Sequence, residues 1–475
     1  MTKYHSNSRR DFLGSLAHGL SGMALVDLLA ADGLLKAAVT GDQPARDHVP
    51  RARRAIQIFL QGGLSHVDSF DYKPELIRHH GQDLPASELP DVFGTKIGLL
   101  HAPHWTFRQR GESGLWVSDL FPHMAQHADR LALIRSMHEA SGNHTPATII
   151  AQCGLNELGF PTLGAWLSYG LGSLSRDLPG FVVLGDPRGM PAGGSTLWGN
   201  GYLPAKHQGV LLKSEGPAVA DLNSSQPVSA ATRHARLVLL ETMNREHLEA
   251  RHANDELAAR MRSYQLAARM QLAVPEAADL KRETAATHRL YGMDDETTHD
   301  FGRMCLLSRR LVERGVRYVQ LWSGATLAQP TWDSHGDVPS DHAREAARID
   351  LPVAGLLTDL QQRGLLDDTL VIFTTEFGRT PFAESEQGQL GKGRDHNQDG
   401  FTSWLAGGGV RGGVSYGATD PLGFRAVKNP VSVHDFHATI LHLMGLDHEQ
   451  LTFYHNGLER RLTNFHGYVI DEILA

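Results

Sequence analysis

Ala55-Ile56-Gln57-Ile58-Phe59-Leu60-Gln61-Gly62-Gly63 is a short, almost wholly apolar run that breaks into glycine. A run of this length, lacking the alternation of a half-exposed strand, reads as a strand buried on both faces. The glycines free the backbone at its carboxyl end, where open α/β sheets place their ligands. Outward from it, Leu131–Ile134, Phe181–Leu184, Arg317–Trp322, Thr369–Thr375 and Thr402–Ala406 read as further strands. Ala343–Gln362 repeats Ala346, Ile349, Val353, Leu356, Leu357 and Leu360 at three- and four-residue steps, the apolar stripe of a helix. Strand alternating with helix predicts an α/β fold: a three-layer sandwich whose central sheet is mostly parallel, with helices on both faces.

Ala230 to about Ala273 reads as a long charged helix with no Gly or Pro before Pro275, and Thr297–Arg314 as a second helix stopped by Gly315. Together they suggest a helical insertion at about 230–314 in a single domain spanning 55–475. Ser432-Val433-His434-Asp435 has the form of a capping box, opening a helix that ends at Gly445.

Of 475 residues, 41% are hydrophobic and 21% charged, enough for a sizeable core. A net charge of −8 gives no basic patch to expect, so a nucleic-acid partner is not expected. Twenty-seven histidines against 45 Lys and Arg direct attention to metal and proton chemistry. Cys153 and Cys305 fit neither a C-x-x-C motif nor a disulfide framework, and two buried thiols are expected.

Ser8-Arg9-Arg10-Asp11-Phe12-Leu13 matches the twin-arginine export pattern. The apolar stretch behind it is interrupted by His18, Asp27 and Asp32, poor material for a membrane span. Residues 1–39 read as a signal segment and 40–54 as a linker. The export machinery is then one partner, and the periplasm or cell surface the destination.

Four clusters carry metal-type ligands after apolar strands or in glycine-rich loops: Gly62–Asp71, Ser141–Pro146, Trp332–Asp337, and Thr374–Thr380 with Gly393–Asn397. Thr145 before Pro146 reads as a helix N-cap, and the free N–H groups there favour an anion beside its hydroxyl. It is either a nucleophile or simply a cap. His144 stands beside it. Asp333 with His335, Asp395 with His396, and Glu376 at a strand end offer carboxylate and imidazole ligands, suited to zinc, manganese or iron. Arg379 and Arg394 bring forked donors for an oxyanion, or surface ion pairs.

In order and wording these motifs closely resemble the uncharacterised exported family known as domain of unknown function 1501. The resemblance runs through Gly62–Asp71 with Lys73-Pro74-Glu75, Leu178-Pro179-Gly180-Phe181, Trp332–His335, Glu376–Pro381, Gly393–Asn397 and Ala406–Gly409. That family is grouped with alkaline phosphatases, sulfatases and cofactor-independent phosphoglycerate mutases. The resemblance implies an alkaline-phosphatase-like sandwich and a divalent metal. It further implies a hydrolase of phosphate or related esters, acting on a small molecule or polymer with Thr145 as nucleophile. Asp333, His335, Glu376 and His396 would be ligands, with Asp395 and Asp68 as further candidates. Two departures stand out. Gln61-Gly62-Gly63 replaces the first-strand Asp, leaving Asp68 or Asp71 as substitutes, and Glu376-Phe377 replaces an Asp-His pair. Both favour a one-metal site, or rearranged ligands using His66, His144 and Asp395. Cys153-Gly154-Leu155-Asn156-Glu157 lacks the C-x-[PA]-x-R signature of formylglycine sulfatases. The alternatives are a binding or surface protein that keeps the fold with a degenerate metal site, and a metal enzyme of another class, such as a transferase.

Replacing Arg9 and Arg10 with Lys should trap the protein in the cytoplasm, because the export receptor reads the guanidinium pair rather than charge alone. Cell fractionation showing normal export of that variant would remove the leader assignment.

Overall fold

The structure is a computed structural model that describes residues 48–84, 96–213, 229–249, 270, 274–325 and 331–475. The expected signal segment, most of the expected linker, and 250–269 with 271–273 of the expected long helix lie outside the described residues. Ala230–Glu249 is helical. Among the described residues no helix is long and apolar enough to cross a membrane.

The opening apolar run forms strand β1 (Arg54–Leu60), and every residue of it after Arg54 is buried. Its neighbours in the sheet are β5 (Tyr318–Ser323) and β6 (Thr369–Thr375), both parallel to it. The sheet continues through β2 (Leu131–His138), β3 (Phe181–Leu184), β4 (Val210–Leu212), β7 (Phe401–Ala406) and β8 (Val414–Tyr416), in the order β8-β2-β7-β6-β1-β5-β3-β4. A ninth short strand, Val431–Ser432, pairs with β2. Only β7 runs against its neighbours β2 and β6. A central strand with parallel partners on both sides must be apolar on both faces, which is what the run 55–60 provides.

Successive side chains of β1 feed two separate cores. Ile56, Ile58 and Leu60 join the core under α3 (His299–Glu313) and α4 (Val338–Gln362). Ala55 and Phe59 join the core under α1 (His144–Cys153), α2 (Leu163–Leu171) and α5 (Val433–Leu443). The result is the expected three-layer sandwich. Helix α3 is followed by Gly315 at φ 91°, and α5 opens with the Ser432/Asp435 capping box. Helix α4 starts five residues before the expected Ala343, because the Asp337 side chain caps it by accepting the Ser340 N–H. Cys153 and Cys305 are buried free thiols.

Strands β1, β2, β5 and β6 all end at one edge of the sheet, and the segment leading into antiparallel β7 reaches the same edge. Gln61–Gly63, the loop into α1, the loop into α4, Glu376 and His396 therefore meet there.

Three buried histidines set an acid limit. Burial holds His127 at about 4 and His342 and His437 at about 3, against 6.5 unfolded. They stay neutral in the fold while the unfolded chain takes up protons, so their contribution is complete above pH 6.5 and lost as pH falls toward 3–4. Urea unfolding should show a loss on the order of 1 kcal/mol for each histidine between pH 7.5 and 5.5. Replacing His437 by Gln should flatten that slope.

Candidate metal centre

The centre is assembled from strand-end loops. Gly62, at φ 123°, lies so close to the loop after β5 that an added Cβ would fall 2.4 Å from the Asp333 nitrogen. That contact fixes Asp333 against the end of β1. The ribbon pairing Gly378–Arg379 with His396–Asn397 sets Arg379 opposite His396.

His144, Asp333, His335 and His396 bring their ligand atoms within 4.8 Å of one another. Asp333 Oδ1 receives the Nε2 atoms of His144 at 3.1 Å, His335 at 2.9 Å and His396 at 3.1 Å. Arg379 Nη2 donates to the same oxygen at 2.7 Å. Four nitrogen groups thus crowd one carboxylate oxygen, and the Nε2 atoms of His335 and His396 are 3.0 Å apart. Ligands about 2.0–2.1 Å from a zinc-type ion would lie roughly 3.3–3.4 Å from one another, close to this spacing.

Each imidazole is also held from behind through Nδ1. His144 meets Glu376 Oε1 at 2.9 Å, His335 meets Glu384 Oε2 at 2.5 Å, and His396 meets the Gly142 carbonyl at 2.6 Å. Outer carboxylates and carbonyls that fix the tautomer and direct Nε2 inward are the usual support of metal-ligating histidines. Three imidazoles and a carboxylate therefore fit zinc, manganese or iron. With four protein ligands, zinc keeps an open position only by expanding to five-coordination.

The charges are distributed unevenly. Burial opposes the charge on Asp333, but hydrogen bonds from His144, His335 and His396, with Arg379 beside it, hold its carboxyl far below the usual range. Burial likewise opposes protonation of His144, yet its hydrogen bonds to Asp333 and Glu376 hold its pKa up at about 9. The hydrogen bond to Asp333 raises His335 against burial. Burial prevails at His396, which is held down at about 4.

Several expected roles change. Glu376 is fully buried and bonded to His144, the Gly62 N–H at 2.7 Å and the Thr375 hydroxyl at 3.2 Å, so it orients a ligand rather than acting as one. Asp68 forms a buried ion pair with Arg394 at 2.8 Å and accepts the His104 N–H at 2.7 Å. Three further Arg394 bonds go to the carbonyls of Thr380, His101 and Ala102, and the group is fully buried, so it is no clamp for an incoming oxyanion. Arg379 is similarly committed to Gly62, Gly63, Arg394 and Asp333. Asp71 pairs with Lys73 and Arg135, and His66 Nε2 with the Gly423 carbonyl. Asp395 accepts its neighbour's His396 N–H at 2.7 Å and lies 3.9 Å from His335, completing an overlapping group with Glu384.

Thr145 is exposed, and it is not the cap. Asn143 occupies the N-cap position, with its carbonyl accepting the Ala147 N–H, so His144 opens α1 and Pro146 is its third residue. Sequence reasoning missed Glu384 entirely. The Glu384 N–H bonds the Gly393 carbonyl and Gly393 packs against the backbone of His335, a long-range arrangement that no local motif announces.

Residues 52–474 match the family described as "Protein of unknown function (DUF1501)", and the chain belongs to that family. No curated protein matches it in sequence. Ps i-CgsB, solved in complex with k-i-k-neocarrahexaose, is 11% identical, with 84% of this chain and 74% of that one covered and a TM-score of 0.37. PsFucS1 sulfatase from Pseudoalteromonas sp. is 14% identical over 93% and 76%, with a TM-score of 0.36. Alkaline phosphatase from the Antarctic bacterium TAB5 is 10% identical over 83% and 98%, with a TM-score of 0.32.

Glu376→Gln and Glu384→Gln should each weaken metal binding about 10–100-fold by releasing the ring behind them. Asp68→Ala should instead destabilise the metal-free protein by about 3–5 kcal/mol, since it leaves the Arg394 charge buried and unpaired. Competition with a chelating dye and urea unfolding separate the two effects.

Proposed function

We propose that the protein is a metal-dependent ester hydrolase of the alkaline phosphatase and sulfatase group, exported through the twin-arginine route to the periplasm or cell surface. The observation that carries the reading is the convergence of three Nε2 atoms on Asp333, each ring held from behind by a separate acceptor. A bound zinc, manganese or iron ion would supply Lewis acidity and a water of lowered pKa.

The chain's own residues do the rest. Glu376, Glu384 and the Gly142 carbonyl keep the rings aligned, and Arg379 holds Asp333 in place. The first turn of α1 points unpaired N–H groups and the positive end of its dipole outward beside His144. Exposed Thr145 stands there as the proposed nucleophile. Its hydroxyl oxygen would join the acid centre of the ester while its proton passes to the departing alkoxide. Water then cleaves the threonine ester, returning the hydroxyl and releasing the acid. Cys153 is a poor nucleophile, because burial pushes its thiol up to about 11.

The test joins metal analysis to turnover of aryl phosphate esters. Protein recovered from its own export route should contain about one zinc, manganese or iron per chain, and His335→Ala should lose both metal and turnover. Thr145→Ser keeps a hydroxyl and should keep much of the activity, while Thr145→Asp should abolish it by placing a carboxylate where the ester must sit. Full activity in a folded Asp variant would transfer the nucleophile role to a bound water. Protein recovered without metal would favour a non-catalytic binding role.

A further inference from the structure

The charges around the centre restrict the kind of ester it can take, an inference that rests on the metal-dependent hydrolase reading. Asp333, Glu376, Glu384 and Asp395 all touch or closely approach the ligand histidines, and Arg379 is the guanidinium that answers them. With a divalent ion added, four carboxylates and one guanidinium leave the group about one unit negative. The amino end of α1 offsets roughly half a charge of that.

Other basic groups along this edge are committed. Arg394 is spent on Asp68 and three carbonyls. Arg188 and Arg348, beyond the end of β3, are held by Asp186 and Glu345. Exposed Lys392 faces Asp337 at 3.8 Å. Arg344 lines a cleft of about 450 Å³ farther along α4, which Glu296 and Asp300 also line. The segment 326–330 carries no charged residue. Among the described residues, then, Arg379 is the one lysine or arginine paired directly with an acid of the metal group.

An ester arriving with one negative charge can give it to the metal. A second charge would meet the surplus of carboxylates with no further paired lysine or arginine among the described residues to receive it, and like charges in a partly desolvated site repel strongly. We infer that the centre selects esters whose reacting group carries at most one negative charge, and rejects dianionic phosphate monoesters. Phosphodiesters, sulfate esters and carboxylic esters share that chemistry.

The experiment uses the full chain loaded with cobalt(II), at pH 8, where a phosphate monoester is a dianion. Turnover is compared for bis(p-nitrophenyl) phosphate and p-nitrophenyl phosphate. In parallel, the cobalt visible spectrum is titrated with dimethyl phosphate and with inorganic phosphate. The diester should exceed the monoester by about tenfold or more in kcat/KM, and dimethyl phosphate should bind at least as tightly as inorganic phosphate. Asn143→Lys puts a cation at the exposed start of α1 and should improve monoester turnover and inorganic phosphate binding far more than the diester or dimethyl phosphate. Faster monoester turnover, or tighter inorganic phosphate binding, in the unmodified protein overturns the inference. If neither ester is turned over, the phosphate-ester hydrolase reading fails, and the two titrations still decide the charge preference.

Discussion

The centre depends on a single buried guanidinium. Arg379 is wholly enclosed and divides its donors among the carbonyls of Gly62, Gly63 and Arg394 and the carboxylate of Asp333. Burying such a charge is costly unless every donor is met, so the loop after β1, the loop after β5 and the segment bearing Arg394 must all be in place together. Arg394 repeats the device with Asp68 and three further carbonyls. The two arginines that sequence alone offered as oxyanion donors or surface ion pairs are instead the buried fastening between strand ends. The same commitment removes them from anion binding and leaves the centre short of positive charge.

Much of this was legible in sequence because the signals are local. An apolar strand running into two glycines, helix stripes at regular spacing and a capping box each depend on neighbouring residues, and β1, α3 and α5 appear close to where those signals place them. The candidate ligands Asp333, His335 and His396 were also visible, since each lies in a loop directly linked to a strand or ribbon. The division of labour among the acids was not. Glu376, Asp68 and Asp333 are all acids two residues from a glycine or histidine in the chain. Only their partners across some 190 to 330 residues decide that Glu376 orients His144, Asp68 neutralises Arg394 and Asp333 faces the ligands.

The start of α1 shows how one residue of register changes a mechanism. A Thr-Pro pair suggests a cap at Thr145, yet proline is equally tolerated anywhere in a first turn, where N–H groups have no helical partner. Asn143 takes the cap, and that places His144 rather than Thr145 over Asp333. The threonine is left exposed beside His144, free of the capping duty that would have immobilised its hydroxyl.

What aims His144 is found well below the centre. His144, Thr148 and Gln152 recur at four-residue steps and so share one face of α1. Gln152 Oε1 accepts a hydrogen bond from Gln320 Nε2 at 2.7 Å, and the same Nε2 reaches Gln57 Oε1 at 2.9 Å, beside the Tyr318 hydroxyl. Gln57 and Gln320 are register partners in the two central strands β1 and β5. An apolar contact would let the helix turn about its axis with little change in buried area, whereas the directional Gln152–Gln320 hydrogen bond is made at one rotation only. Two turns higher, that rotation is what directs the imidazole of His144 toward Asp333 and Glu376. The polar residues that interrupt an otherwise apolar core layer thereby set the angle at which α1 delivers its ligand.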